Sequence, residues 1–156
     1  MKYLKLKHIV FLIAITFAIS SCTSTRTALF DPYSYQKATE LKVETSKLMA
    51  KAITPYVTHK EEVETLQLNI EKLVEYEKNK PNNDISFEMW KILTNKEKNL
   101  LSGFFKRWET KVILSTVFIE ESKKQVLDAL DLLIQYEIKK DKEAKDALLD
   151  LINSNT

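Results

Sequence analysis

Residues 115–152 read STVFIEESKKQVLDALDLLIQYEIKKDKEAKDALLDLI, with no glycine or proline among them. Phe118, Ile119, Val126, Ala129, Leu130, Leu133 and Ile134, then Ala144, Leu148 and Leu151, keep three- and four-residue spacings. That is the period of one face of an α-helix. Ser115 precedes the run as an N-cap, its hydroxyl placed to accept a free amide of the first turn. As one helix, residues 116–152 would extend roughly 55 Å, against roughly 30 Å for the other predicted helices. The last helix therefore either projects beyond its neighbours or breaks in the polar run Lys139-Lys140-Asp141-Lys142-Glu143.

Composition points the same way. The chain has one glycine and three prolines in 156 residues, where average usage would give roughly 11 and 8. Hairpin turns need positive φ, and therefore glycine, so a β-sandwich, a barrel and a Rossmann fold are excluded. A single glycine also cannot write a GxGxxG or GxxxxGK phosphate loop. With 44% hydrophobic and 29% charged residues, the chain has the balance of a folded amphipathic protein.

Upstream, the same period recurs between capping signals. Asp31-Pro32 opens a helix as N-cap and first residue, with Ala38, Leu41, Thr45, Leu48 and Ala52 on one face. It stops near Ile53, because Thr54 precedes Pro55. A second helix starts at Pro55, or at Thr58 through the capping box Thr58-His59-Lys60-Glu61. It carries Val63, Leu66, Ile70, Leu73, Val74 and Tyr76-Glu77 in register. The turn Pro81-Asn82-Asn83-Asp84 follows. Ser86 is read as the cap of a third helix bearing Phe87, Trp90 and Leu93, and Thr94-Asn95-Lys96-Glu97 as a box that restarts it. Leu100, Leu101, Phe104, Phe105 and Trp108 form the next apolar face, ending near Glu109 or Thr110. The expected fold is all-α, an antiparallel four- to five-helix bundle with a long C-terminal helix, in one domain over residues 31–156.

The first 22 residues read as an address. Lys2, Lys5 and Lys7 give a positive start, and residues 9–19 (IVFLIAITFAI) are an apolar run broken by Thr16. Eleven helical residues cover roughly 16 Å, about half of a bilayer core, so the run has signal-peptide proportions. Ile19-Ser20-Ser21-Cys22 resembles the lipobox of bacterial lipoproteins. The resemblance implies cleavage before Cys22, which becomes a diacylated N-terminal cysteine (palmitate or similar chains). It implies a mature chain of 135 residues, once 21 of the 156 are removed. Three of 24 basic residues leave with residues 1–21, so 21 cations face 22 acids and the mature net charge is −1. That balance gives no argument for a nucleic-acid partner. No second cysteine exists for a disulfide, and no thiolate metal set is available. Residues 22–30 read as a lipidated tether, at most roughly 35 Å when extended to Asp31. Thr23, where inner-membrane lipoproteins of enteric bacteria carry Asp, leans the location towards the outer membrane, facing the periplasm.

The remaining sequence resembles a group of small uncharacterised envelope lipoproteins. The likeness lies in Trp90-Lys91-Ile92-Leu93, in Asn99-Leu100-Leu101-Ser102-Gly103-Phe104 and in Lys106-Arg107-Trp108. It implies a helical fold and an envelope location but no activity.

Candidate chemistry is sparse. His59 is the one histidine beyond the signal segment, and no Glu-x-x-His pair accompanies it, so no metal site is expected. Carboxylates at Glu61, Glu62, Glu64, Glu120, Glu121, Asp128 and Asp131 alternate with lysines at helical spacing, which suits a solvated face. His59 shows no orienting partner, and G-x-S-x-G is absent. The chain is therefore expected to be non-enzymatic and to use no cofactor. A hydrolase would be indicated by two carboxylates, or by His59 with a carboxylate, converging in a cleft.

The aromatic segment stands out: Phe87, Trp90, Phe104, Phe105, Trp108 and Phe118 fall within 32 of the residues. Large rings at helical spacing suit a core. The same segment also offers a contact patch for a partner or ligand, made of Trp90, Phe104, Phe105, Lys106, Arg107 and Trp108. Gly103 is expected in mid-helix under the close approach of another helix. The function expected is a lipid-anchored interaction or structural module of the cell envelope, binding the membrane through Cys22 and another envelope protein through its long C-terminal helix and residues 104–108. The alternative is a binding module holding an apolar or lipid ligand between helices, in a cavity among Trp90, Phe104 and Phe118.

Overall fold

A computed structural model describes residues 27–154. The expected signal segment, Cys22 and most of the tether lie outside them. The described residues form an all-α bundle of six helices joined by short connections: α1 Pro32–Ala50, α2 Lys60–Asn79, α3 Asp84–Leu93, α4 Leu101–Lys111, α5 Thr116–Lys139 and α6 Lys142–Ser154. Two 3₁₀ turns, Lys51–Ile53 and Tyr56–His59, link α1 to α2.

Helix α1 starts as its sequence dictates. The Asp31 carboxylate accepts from the Tyr33 amide (3.0 Å) and the Ser34 hydroxyl (3.0 Å), and Pro32 follows. Ala38, Leu41, Thr45, Leu48 and Ala52 are all buried, the predicted face. Ser115 caps α5 by accepting from the Phe118 amide at 3.4 Å.

Cross-links at the helix ends fix the topology. The Asp31 amide donates to Glu137 Oε1 (2.9 Å), so α1 begins where α5 ends. The Leu114 amide donates to the Ala52 carbonyl (2.8 Å), so α1 ends where α5 begins. Tyr76 reaches Asp31 (2.7 Å) and Lys51 reaches Glu62 (2.5 Å), which sets α2 antiparallel to α1 in the same way. The bundle therefore has a tether end, at Asp31, and a far end about 28 Å away along the length of α1.

The C-terminal segment takes the second of the two courses expected for it: it breaks in the polar run. Lys140 adopts left-handed φ 50°, ψ 21°, and its amide closes on the Tyr136 carbonyl at 3.0 Å. The Asp141 carboxylate then caps α6 by accepting from the Ala144 amide (2.8 Å). This fold-back lays α6 against α5 and α3, buries Ala144, Leu148 and Ile152, and raises the helix count to six.

Three capping expectations are corrected. Thr58 does not cap α2; its hydroxyl donates to the Pro55 carbonyl (2.7 Å), which holds a 3₁₀ turn instead. Ser86 lies inside α3 and is buried, because the helix begins earlier, at Asp84 after Asn83. Thr94 serves the end of α3, donating to the Trp90 carbonyl (2.8 Å), and helix resumes only at Leu101. Thr58 and Thr94 each turn the hydroxyl back to a carbonyl where a free amide ahead was expected, whereas the buried Ser86 hydroxyl has no hydrogen-bond partner among the described residues.

Residues 27–30 also belong to the domain. Ala28 is buried and its amide donates to the Asn82 carbonyl at 2.9 Å. Packing onto the bundle therefore reaches upstream of the boundary expected at residue 31, at least to Ala28.

Candidate interaction surface

The aromatic segment forms the middle of the core. Trp90, Trp108, Phe104 and Phe105 are all buried, which corrects their expectation as contact residues. Phe104 lies edge-on to Phe105 (5.7 Å between centroids) and stacks on Phe118 (6.1 Å, 4° between planes). Phe104 and Phe118, two of the three rings around which a ligand cavity was expected, also line an open groove. The apolar area these large side chains remove from water outweighs any contact role. Lys106 and Arg107 are exposed, as a partner contact requires.

Gly103 is corrected in a different way. It sits in the first turn of α4, not in mid-helix, and its neighbour is its own chain. A Cβ there would stand 1.7 Å from the Lys98 carbonyl oxygen. The loop of residues 95–100 folds tightly over the start of α4, and the missing side chain admits it. An Asx turn, in which Asn95 Oδ1 accepts from the Glu97 amide (2.8 Å), shapes that loop.

This loop, α4 and the start of α5 enclose a groove of about 440 Å³. Its walls carry Lys96, Lys98, Lys106, Arg107 and Lys111 against one carboxylate, Glu97, which pairs with Lys106 at 2.6 Å. Arg107 lies over the Phe118 ring, 4.4 Å from its centroid, a cation–π contact that aligns the guanidinium along the groove. The pairing with Lys106 holds the Glu97 carboxyl below its ordinary range.

Beside the groove lies the far end of the bundle. Here the α1–α2 and α4–α5 connections are bonded to each other. The Tyr56 amide donates to the Val112 carbonyl (2.9 Å), the Leu114 amide to the Ala52 carbonyl (2.8 Å), and the Trp108 indole to the Thr54 carbonyl (3.0 Å). The Tyr56 ring stands edge-on to Trp108 at 5.5 Å. On this fixed frame Ile53, Val57, Val112, Ile113 and Val117 are each more than 50% exposed, Val57 reaching 75%. Scattered exposed aliphatics are ordinary, but four on two joined connections with Val117 in the first turn of α5 make a patch.

Val112 occupies a strained position. Its φ and ψ are 67° and −50°, and the Ile113 amide donates back to the Lys111 carbonyl at 2.8 Å. That is a γ-turn of the rare, strained sense. A β-branched residue at positive φ costs on the order of 1–3 kcal/mol. The turn projects Val112 and Ile113 outward from the bundle.

His59 lies at the edge of this end. Its Nδ1 is 2.7 Å from Glu62 Oε1 and its Nε2 is 2.9 Å from the Thr54 hydroxyl. The expectation that His59 has no orienting partner is therefore corrected. The order hydroxyl, imidazole, carboxylate resembles a nucleophile triad. However, Thr54 Oγ1 already donates to the Lys51 carbonyl (2.6 Å). The amides that would receive an oxyanion are also committed: Thr54 N to the Lys51 carbonyl (2.9 Å), Tyr56 N to Val112, and residue 55 is proline. The three groups fasten the end of α1 to the start of α2. Hydrogen bonds from Lys51 and then His59 lower the Glu62 carboxyl. Of the other carboxylates singled out in the sequence, Glu64 pairs with Lys60 (3.6 Å), Asp128 with Lys124 (2.5 Å) and Asp131 with Lys42, each an exposed or half-exposed pair that contributes little. Among the described residues no three His, Cys, Asp or Glu side chains converge on a metal-sized space.

The tether end holds a polar cluster that sequence reasoning missed. Glu77 and Glu137 are almost wholly buried, and Lys80 Nζ lies 3.4 Å from the first and 3.3 Å from the second. Lys140 pairs with Glu137 at 2.7 Å, and Asn83 donates to both the carbonyl and the carboxylate of Glu77 (3.0 and 2.5 Å). Burial lowers the Lys140 ammonium despite that pairing. Burial would raise Asp31, but the hydrogen bonds from Tyr76, Ser34 and Tyr33, with the charge of Lys80, hold it below 3.8. Donation to Asp31, aided by desolvation, pushes the Tyr76 phenol up to about 12. The sequence did carry a signal: Glu77 and Glu137 fall four residues after Leu73 and Leu133, on core positions of their helices. The cluster clasps the start of α1 to the ends of α2 and α5, leaving few of its polar atoms open to a ligand.

Comparison of the chain with models of known protein families, with curated proteins and with solved structures gave no match.

Proposed function

We propose that this chain is a lipid-anchored, non-enzymatic interaction module of the bacterial cell envelope. One observation carries the reading: the strained, aliphatic far end stands on a rigid frame at the opposite pole from the segment that leads to Cys22. Strain of this kind persists where the surrounding structure enforces it and something is gained from the exposed side chains. The polar groups capable of chemistry, meanwhile, are engaged in holding helix ends together.

Two features support an anchor near Asp31. Leu29 and Phe30 are exposed where the chain enters the bundle, and the Tyr33 ring packs at a tilt against Tyr76 (4.7 Å between centroids). Apolar and tyrosine side chains suit a position at a headgroup layer. Among the described residues no helix is long and apolar enough to cross a membrane, so attachment falls to the lipidated Cys22. The lipobox and Thr23 favour the outer membrane, with the bundle facing the periplasm.

The test is metabolic labelling with a palmitate analogue. The wild-type chain should incorporate label and sediment with membranes, and Cys22→Ser should do neither. A label-free wild-type chain would contradict the anchor.

A further inference from the structure

We propose that the far end is a second membrane contact, which docks on anionic phospholipid of the bilayer that holds the anchor. The inference rests on the anchor reading above and names what the exposed end touches.

The cationic groove and the aliphatic patch are continuous along the chain. Lys111 and Phe118 line the cationic groove, and their chain neighbours Val112 and Val117 belong to the aliphatic patch. The groove, with five cations and a single, already paired carboxylate, therefore adjoins a row of projecting valine and isoleucine side chains, whose other side carries Glu62 at His59 and Glu64 and Glu109 near Tyr56. Aliphatic residues that enter the headgroup boundary beside lysine and arginine, which meet lipid phosphates, are the two components of interfacial binding.

The type of side chain argues against a protein partner. Anchors of protein interfaces are mostly tryptophan, tyrosine and arginine seated in shaped pockets. Both tryptophans of this chain are buried, and the protruding groups are small and β-branched. Such groups gain area in a fluid apolar layer without needing a matching surface. Geometry permits the contact: with Ala28 held on the bundle, little tether separates its near end from Cys22. Laying α1 along the bilayer then brings the far end, about 28 Å away, onto the same surface.

The test uses the full chain reconstituted in vesicles of phosphatidylcholine, with or without a third of phosphatidylglycerol. An environment-sensitive thiol dye is placed at Ile113→Cys, and at Lys72→Cys on α2 as the reference position. Acylation blocks Cys22, so labelling of the wild-type chain would count against the anchor reading and not against the lipid contact. The inference predicts a blue-shifted emission and quenching by spin-labelled lipid at position 113 in anionic vesicles alone, with position 72 unaffected. Lys106→Gln with Arg107→Gln should weaken the docked state by roughly 30-fold at low salt, with the far-end fold unchanged by circular dichroism. Equal signals in neutral and anionic vesicles, or no signal in either, would overturn it. A shift in native membranes that is absent from protein-free vesicles of the same lipids would assign the far end to a protein and also overturn it.

Discussion

Replacing Gly103 by alanine separates two physical effects of opposite sign. Inside a helix, alanine is favoured over glycine by up to about 1 kcal/mol, so an unhindered site would be stabilised. Here the new Cβ would lie 1.7 Å from the Lys98 carbonyl oxygen and 2.9 Å from its carbon. Ordinary contact begins at 3.4 Å, so the oxygen must retreat by well over an ångström. The Asx turn at Asn95 and the Lys106–Glu97 pair resist that retreat. Overpacking against backbone costs about 1–3 kcal/mol, which outweighs the propensity gain and leaves a net loss of about 2 kcal/mol. For a domain of this size the midpoint should fall by roughly 6–10 °C. Thermal unfolding followed by far-ultraviolet circular dichroism gives the answer. An unchanged or raised midpoint would refute the close packing of the 95–100 loop on α4, and with it the shape of the cationic groove.

Other perturbations follow from the two ends of the bundle. Glu137→Gln leaves Lys80 and Lys140 facing each other with less compensation and should cost about 3 kcal/mol in chemical denaturation; a loss below about 1 kcal/mol would mean that the cluster tolerates rearrangement. Val112→Gly should raise stability by about 1 kcal/mol, because glycine accepts positive φ freely, and a fall would contradict the γ-turn. Asp31 titrates below 3.8 in the fold, so its contribution is present above that value and is lost as pH falls through the folded pKa. Asp31→Asn should therefore flatten the acid limb of the stability profile. Tyr76 has the opposite sign: its contribution is complete below 10 and is lost as pH rises towards 12. Subtracting the absorbance titration of Tyr76→Phe from that of the wild type should give a midpoint near 12, and a midpoint near 10 would disprove the bond to Asp31.

Much of the fold was legible because burial repeats along a helix. The faces built on Ala38–Leu41–Leu48, on Val63–Leu66–Ile70–Leu73 and on Val126–Leu130–Leu133 are buried as their spacing implies. Local alternatives of nearly equal energy were harder to read. Thr58 and Thr94 can each satisfy a carbonyl behind them or an amide ahead, and only the tertiary course of the chain decides. The break at Lys140 belongs to the same class, since a lysine in left-handed conformation is held there by Glu137, the Tyr136 ring and the packing of α6. The site was legible in part. Lys106 and Arg107 emerged from the sequence as exposed cations beside a ring cluster, and Gly103 as a point of close approach. The far-end patch did not, because Ile53, Val57, Val112 and Ile113 come from two connections, and Val117 from the first turn of α5, that meet only in three dimensions. Apolar residues in short connections read as punctuation until a hydrogen bond such as Tyr56 to Val112 joins them.

The most direct test of the central claim, that the far end is the working surface, is hydrogen exchange of the full chain in isolated membranes compared with detergent. The account predicts added protection confined to residues 51–57 and 111–117 and to the groove loop 95–100, with the polar face of α2 unchanged. Protection elsewhere, or none at the far end, would contradict it.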